Sequence, residues 1–517
     1  MGDYGKALAL LEKAKIICES IDDTEPLITS TVYHNMASCY IRQGDLPRAK
    51  EWYQKSINIR EQLPDIEDYR LATSYDSLGN VYESLGEYDK ALALLNKGLE
   101  LRISTLGEKH PATAISYNNI GYTYSSLGDY KKALEQYRKA FSVQEPALDT
   151  NHPDLATTHN NLGRAYDNLG NPKLAMEHFK KALVAGEAVF GVEHPDVLLT
   201  RDSIASSYVE NGEYEIAEKQ FAEILAVRLA VLGENHHDTA TNYHNLGIVY
   251  GYLSQNEKAL ELLNKALEID IRLLGDRHPN VATVQKSIAD IYYKFEGMEE
   301  EAFELYKNVL DIELEAYGEK HPYIAISYNN IAIQYADQHK YEQAMEYYEK
   351  ALEIQEETYG RRHIHTSSTL YNMGRGLEDT GELGKALELF LEAHSIVVET
   401  YGDDNPEIAI MGDGIAHTYD KLGDFENAEK WFKNSIRLYK KFYQDSNIQL
   451  AVTYYLYADL LERQERYHEA LSAFTRCCEI ETPHYESDHK VLTTTMNRIT
   501  SLRNKTYEGR RASLPLH

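Results

Sequence analysis

The stretch Leu106–Phe141, LGEKHPATAISYNNIGYTYSSLGDYKKALEQYRKAF, contains two helical patterns separated by Gly128-Asp129. Gly121 is followed three residues later by Tyr124, and Ala133 four residues later by Tyr137, spacings that put each pair on one helical face. Gly at the turn suits a left-handed helix end, and Pro111 can open a helix without losing a needed hydrogen bond. The stretch therefore predicts two antiparallel helices, one from Ala112 to Leu127 and one from Tyr130 to about Leu148.

The same pattern runs along the whole chain. The second-helix alanines are Ala7, Ala49, Ala91, Ala133, Ala175, Ala217 and Ala259 at intervals of 42; Ala302 follows after 43, and Ala344, Ala386, Ala428 and Ala470 resume the interval. Four residues after each stands a bulky apolar side chain, from Leu11 and Tyr53 to Phe432 and Phe474. The small first-helix residues (Ala37, Gly79, Gly121, Gly163, Ala205, Gly247, Ala289, Ala332, Gly374, Ala416, Ala458) are followed three later by Tyr in nine of eleven cases, Leu377 and Leu461 being the exceptions. This recurrence explains much of the Tyr content, 41 residues against 11 Phe and 2 Trp, and calls for a large ring with a wet end. A length of 517 residues, which alone suggests about three domains, becomes one stack of about twelve units, an all-α solenoid.

Composition excludes several classes. The net charge of −29 opposes a phosphate backbone or an anionic membrane surface, so nucleic acid is not an expected partner. Hydrophobic content of 43% and charged content of 26% are those of a folded globular chain. Cys18, Cys39, Cys477 and Cys478 form neither a disulfide framework nor a metal spacing, which favours a reducing, cytoplasmic setting. The N-terminus lacks a signal-peptide core, and there is no apolar run long enough for membrane insertion. Phosphate-loop, dinucleotide, zinc-protease and serine-hydrolase motifs are absent, and the repeats fill the space a catalytic domain would need, so no enzymatic activity and no cofactor are expected. His110, His152, His194, His236, His278, His321 and His363 recur with the repeat, and because they step along a stack rather than converge they read as capping residues, not metal ligands.

The small residue, the Tyr three later, the turn Gly and the Ala with its bulky neighbour resemble the tetratricopeptide repeat. The 42-residue unit, the L-G-E-x-H-P connector and Y-N-N-[IL]-[GA] resemble the kinesin light chain type in particular. The resemblance implies a right-handed superhelix whose first helices line a concave groove, and partners that are peptide segments of other proteins, a kinesin-type motor or its cargo among them. The heptad coiled coil that precedes the repeats in that family does not appear in this sequence. Similar arrays occur in nephrocystin-like scaffolds and as sensor arms of larger signalling proteins, which leaves a regulatory arm of a larger enzyme as the alternative to an adaptor.

The expected organisation is a partial first repeat over 1–26, second helix only, tandem repeats over 27–488, a capping helix over 489–502 and a basic, disordered tail over 503–517. Because the chain opens inside a unit, it is expected either to be a fragment or to need a partner over its first helix. Two residues before the small residue stand Asn35, Asn119, Asn161, Asn245, Asn330 and Asn372. Asn offers one acceptor and two donors, so such a row suits the backbone of an extended peptide; it also suits bonds to a neighbouring helix. The resemblance implies the peptide role. Arg164 and Arg375, one after the small residue, suit acidic groups on a ligand. In the tail, Arg510-Arg511-Ala512-Ser513-Leu514-Pro515 fits a basophilic kinase site, and phosphorylated Ser513 would resemble a 14-3-3 docking site. A further expectation is that the basic tail folds back onto the acidic groove.

Overall fold

Caps written into the sequence decide where each helix begins and ends. The computed structural model describes residues 4–20, 25–63, 68–295, 297–443, 447–485 and 489–512. Among these there are 24 helices and no strand. Packing divides the chain into two units, Met1–Gln334 and Tyr335–His517. In the first, α1 (Tyr4–Ser20) precedes the pairs α2 (Pro26–Arg42) with α3 (Leu46–Arg60), α4 (Asp68–Ser84) with α5 (Tyr88–Leu106), α6 (Pro111–Ser126) with α7 (Tyr130–Gln144), and α8 (Pro153–Asn168) with α9 (Pro172–Phe190). Then come α10 (Pro195–Glu210) with α11 (Tyr214–Val231), α12 (His237–Tyr252) with α13 (Asn256–Leu274), and α14 (Pro279–Tyr292) with α15 (Glu299–Tyr317). The division falls within α16 (Pro322–Asp337). The second unit holds α17 (Tyr341–Tyr359), then α18 (Ile364–Asp379) with α19 (Leu383–Tyr401), α20 (Glu407–Lys421) with α21 (Phe425–Tyr443), α22 (Ile448–Arg463) with α23 (Tyr467–Glu481), and α24 (Lys490–Ala512). The helix pairs follow one another as an α-solenoid. Among the described residues, no helix is long and apolar enough to cross a membrane.

Seven first helices open on the connector His, followed by Pro in five of them. His110 Nδ1 accepts the Ala112 N–H at 3.1 Å, and His152, His194, His236, His278, His321 and His363 repeat the bond at their own helix starts, so the capping reading of these histidines holds. Between paired helices Gly128 has φ 77, while Ser254, His339 and Glu465 take the same left-handed position with φ 58 to 60 despite their side chains. Second helices such as α5 end on a residue like Gly107, at φ 88 and ψ 158, a region that essentially only Gly adopts.

Two boundaries differ from the sequence expectation. Helix α7 stops at Gln144 rather than near Leu148, because Pro146 brings no N–H and disfavours helical geometry in the residue before it. Helix α24 continues to Ala512, ten residues past the expected cap, so residues 503–512 are helical rather than a disordered tail. Ser513 lies outside the described residues.

Each repeat is held by its small residue. A Cβ on Gly121 would stand 2.6 Å from the Tyr137 ring, one on Gly163 2.6 Å from Phe179, and one on Gly374 2.8 Å from Phe390. The glycine thus lets the second helix's bulky residue lie directly on the first helix's backbone. Ala133, Ala175 and Ala386 are fully buried beside these rings. The first-helix tyrosines keep a wet end: Tyr250 donates its hydroxyl to Glu218 at 2.8 Å, and Lys50 sits 5.0 Å over the Tyr82 ring.

At four junctions of the first unit a buried polar column joins one repeat to the next. Gln144 accepts from Thr158 at 2.6 Å, and Glu313 accepts from Ser327 at 2.6 Å; Arg60 reaches Ser74 and Arg102 reaches Ser116, always fourteen residues on. Arg102 also pairs with Asp76 at 2.6 Å, where both side chains are buried.

Candidate functional site

The exposed face of the first helices is set by curvature. First helices of successive repeats approach one another directly, α4 with α6, α6 with α8, α8 with α10 and α12 with α14 in the first unit, and α18 with α20 and α20 with α22 in the second. Second helices do not approach one another as closely, so within each unit the first helices occupy the inner side of the curve.

On that side, positions six before, two before and one after the small residue form a single stripe, since they are spaced i, i+4, i+7. The asparagines occupy its middle. Asn35 is exposed, whereas Asn119, Asn161, Asn245, Asn330 and Asn372 are half-buried. Part of their bonding capacity goes to the preceding repeat. Asn119 favours the ionised form of Asp76 in the preceding repeat, and Asn161 Nδ2 donates to Asn118 Oδ1 at 3.4 Å, while Asn118 in turn donates to Thr158 at 2.7 Å. Beside Asn245, His244 Nε2 lies 2.8 Å from Ser287 Oγ of the next repeat. In the second unit Gly414 takes the asparagine's place, and a Cβ there would lie 3.1 Å from the Tyr371 ring. Both functions weighed for Asn in the sequence are thus compatible, because one amide can serve the neighbouring helix and still offer bonds to solvent.

Arg164 and Arg375 are exposed on the same face. Burial pushes the Tyr371 hydroxyl up to about 12 against the opposing charge of Arg375, and burial raises Tyr122 against that of Arg164. Burial also pushes the Asp76 carboxyl up to about 6 against the opposing pull of Arg102. Among the described residues, no three or more His, Cys, Asp or Glu side chains converge as a metal site would require.

The structure adds a row that the sequence reading passed over. Six before the small residue stand Thr31, Thr73, Ile115, Thr157, Leu199, Thr241, Thr283, Ile326, Ser368, Ile410 and Val452; all are exposed except the half-buried Thr241. None is charged. The asparagine row beside it, completed by Ser77, Ser203, Ser287, Gly414 and Leu456, is uncharged too. In a chain with 26% charged residues, two adjacent neutral rows on the first helices form a distinct surface within each unit. The signal was available in the 42-residue register, but Thr and Ile alone carry no motif.

The tetratricopeptide repeat pattern matches residues 1–62, 69–146, 126–188, 196–272, 252–313, 295–357, 323–397, 365–441 and 407–481, and the chain belongs to the tetratricopeptide repeat family. Such a repeat array is a protein-interaction scaffold. Among solved structures the chain is similar to a putative kinesin light chain with nearly identical TPR-like repeats from Podosopora anserina, at 24% identity over 40% of this chain and 99% of that one, with a TM-score of 0.35. It is also similar to BtubC (BKLC) from P. vanneervenii, at 21% identity over 44% of this chain and 92% of that one, with a TM-score of 0.38. Among curated proteins no match is found.

Proposed function

We propose that this protein is a non-enzymatic adaptor that holds extended segments of other proteins against the inner face of its first helices. The observation that carries this reading is the pair of neutral rows, one exposed and one rich in half-buried Asn, which runs through successive repeats. An extended peptide needs backbone donors and acceptors at regular intervals and an uncharged floor for its side chains, and these rows supply both. Arg164 and Arg375 add points at which acidic groups of the segment would be favoured. A kinesin-type motor or its cargo is the partner class that the light-chain resemblance suggests, and phosphorylated Ser513 would add a 14-3-3 site. We place the protein in the cytoplasm, consistent with its four free cysteines.

Because Asn119 and Asn161 also link repeats, the cleaner test leaves them in place. Thr157→Glu with Leu199→Glu puts two charges into the exposed neutral row, and Val184→Glu, on the second helix where Val184 is 64% exposed, is the control. In pull-downs the inner-face variant should lose partners that the wild type and the control retain. Equal retention by all three would remove the groove reading.

A further inference from the structure

In the first unit the solenoid touches itself. His321, at the connector before α16, caps its helix through Nδ1 and is therefore protonated on Nε2, which donates to the Ser84 carbonyl at 3.2 Å, 237 residues away in sequence. Beside it, a Cβ on Gly86 would stand 2.5 Å from Pro322 Cδ. One repeat earlier the same contact recurs: a Cβ on Gly44 would stand 2.7 Å from His278 Nε2. In both cases the turn within one repeat meets the His-Pro connector several repeats on, with a constant offset. Two contacts in register are what a fixed rotation per repeat produces when a coil completes a turn. The corresponding turn glycines Gly170 and Gly212 have nothing within 4 Å.

The seam is built rather than incidental. His321 is only 4% exposed, and its ring stacks on Tyr317 at 4.3 Å. Glu83 and Tyr122 are near enough for their charges to disfavour ionisation of the Tyr323 hydroxyl, an effect smaller than that of its burial. At the Gly44 contact a cavity of about 370 Å³ remains, lined by Gly44, Asp45, Arg277, His278 and Glu315, with Arg277 bonded to Glu315 at 2.8 Å.

We propose that this seam is a clasp: turn-on-connector contacts at His278 and His321 hold the first unit closed and restrict lateral access to the inner face of its first helices. With the clasp shut, bulky bodies reach the neutral rows only along the coil; parting it exposes them from the side. The proposal rests on the groove reading for its biological meaning, but its test uses no ligand and so stands or falls separately.

The test compares a cysteine placed on the inner row, Leu199→Cys, with one on a second helix, Val184→Cys, mapped by mass spectrometry against the native cysteines. Both should react alike with N-ethylmaleimide. A polyethylene glycol maleimide should label the Leu199→Cys protein several-fold more slowly than the Val184→Cys protein. Adding Gly86→Val, which forces a side chain into Pro322, should remove most of that difference. Gly212→Val imposes the same backbone strain, with φ 74 against 70, at a turn that touches nothing, and should leave the difference intact. Equal labelling of the two cysteines by the bulky reagent, or no acceleration by Gly86→Val beyond Gly212→Val, would overturn the clasp.

Discussion

At the residue scale, the buried polar column shows how one position can change chemistry without losing its role. Where Gln144 accepts from Thr158, Glu313 accepts from Ser327, yet the carboxyl carries an ionisation burden the amide does not. Burial pushes Glu313 up to about 7, and the Ser327 hydroxyl and nearby Lys286 only partly oppose it. A carboxyl with a folded-state value above its unfolded one binds more protons when folded; its stabilising contribution is complete below about 4.5 and is lost as pH rises through about 7. Glu313→Gln removes the titration. Denaturant unfolding should therefore show wild-type stability falling relative to the variant between these limits, by up to ~1.4 kcal/mol per pH unit. Parallel pH profiles for the two proteins would mean that Glu313 is not held in its neutral form.

At the element scale, each helix pair depends on the fit of one bulky side chain against one small residue. Phe179 is 1% exposed and covers Gly163, so Phe179→Ala leaves a void against a backbone that cannot close over it. The substitution should cost about 3–5 kcal/mol. In a stack whose repeats contact only neighbours, the loss should concentrate near α8 and α9. Hydrogen exchange should therefore rise in those two helices while α22 and α23 keep their protection; uniform loss across the chain would contradict a nearest-neighbour stack. The elements were the most legible feature of the sequence, because the turn Gly, the His-Pro connector and the Ala with its bulky neighbour each state a local geometry. Ser254, His339 and Glu465 still reach positive φ where Gly is missing, since the repeats on both sides impose the turn. The fourteen-residue column was not legible, because its partners change from Arg–Ser to Gln–Thr to Glu–Ser and share only spacing.

At the scale of the whole molecule, sequence periodicity gives the number of repeats but not the rotation between them. That rotation decides which turn meets which connector, so among the histidines that cap their helices, His278 and His321 of the first unit also close the seam. The asparagine row was legible as a candidate surface, whereas its partial use in linking repeats, as with Asn161 to Asn118, depended on how closely successive first helices approach. The neutral row from Thr31 to Val452 became visible only when exposure was combined with register. In the second unit Arg498 bonds to Asp459 and Glu462, and Lys505 to Glu462, so α24 lays positive charge on the adjacent α22.

The central claim is that partners lie along the inner face of the first helices. Site-specific photo-cross-linking tests it most directly, with a benzophenone side chain placed at position 199 or 184 of otherwise unchanged protein in its native cellular extract. The account predicts that position 199 captures partner segments whose cross-linked peptides map to extended stretches, and that position 184 captures none of them. Capture of the same peptides from position 184, with none from position 199, would contradict it.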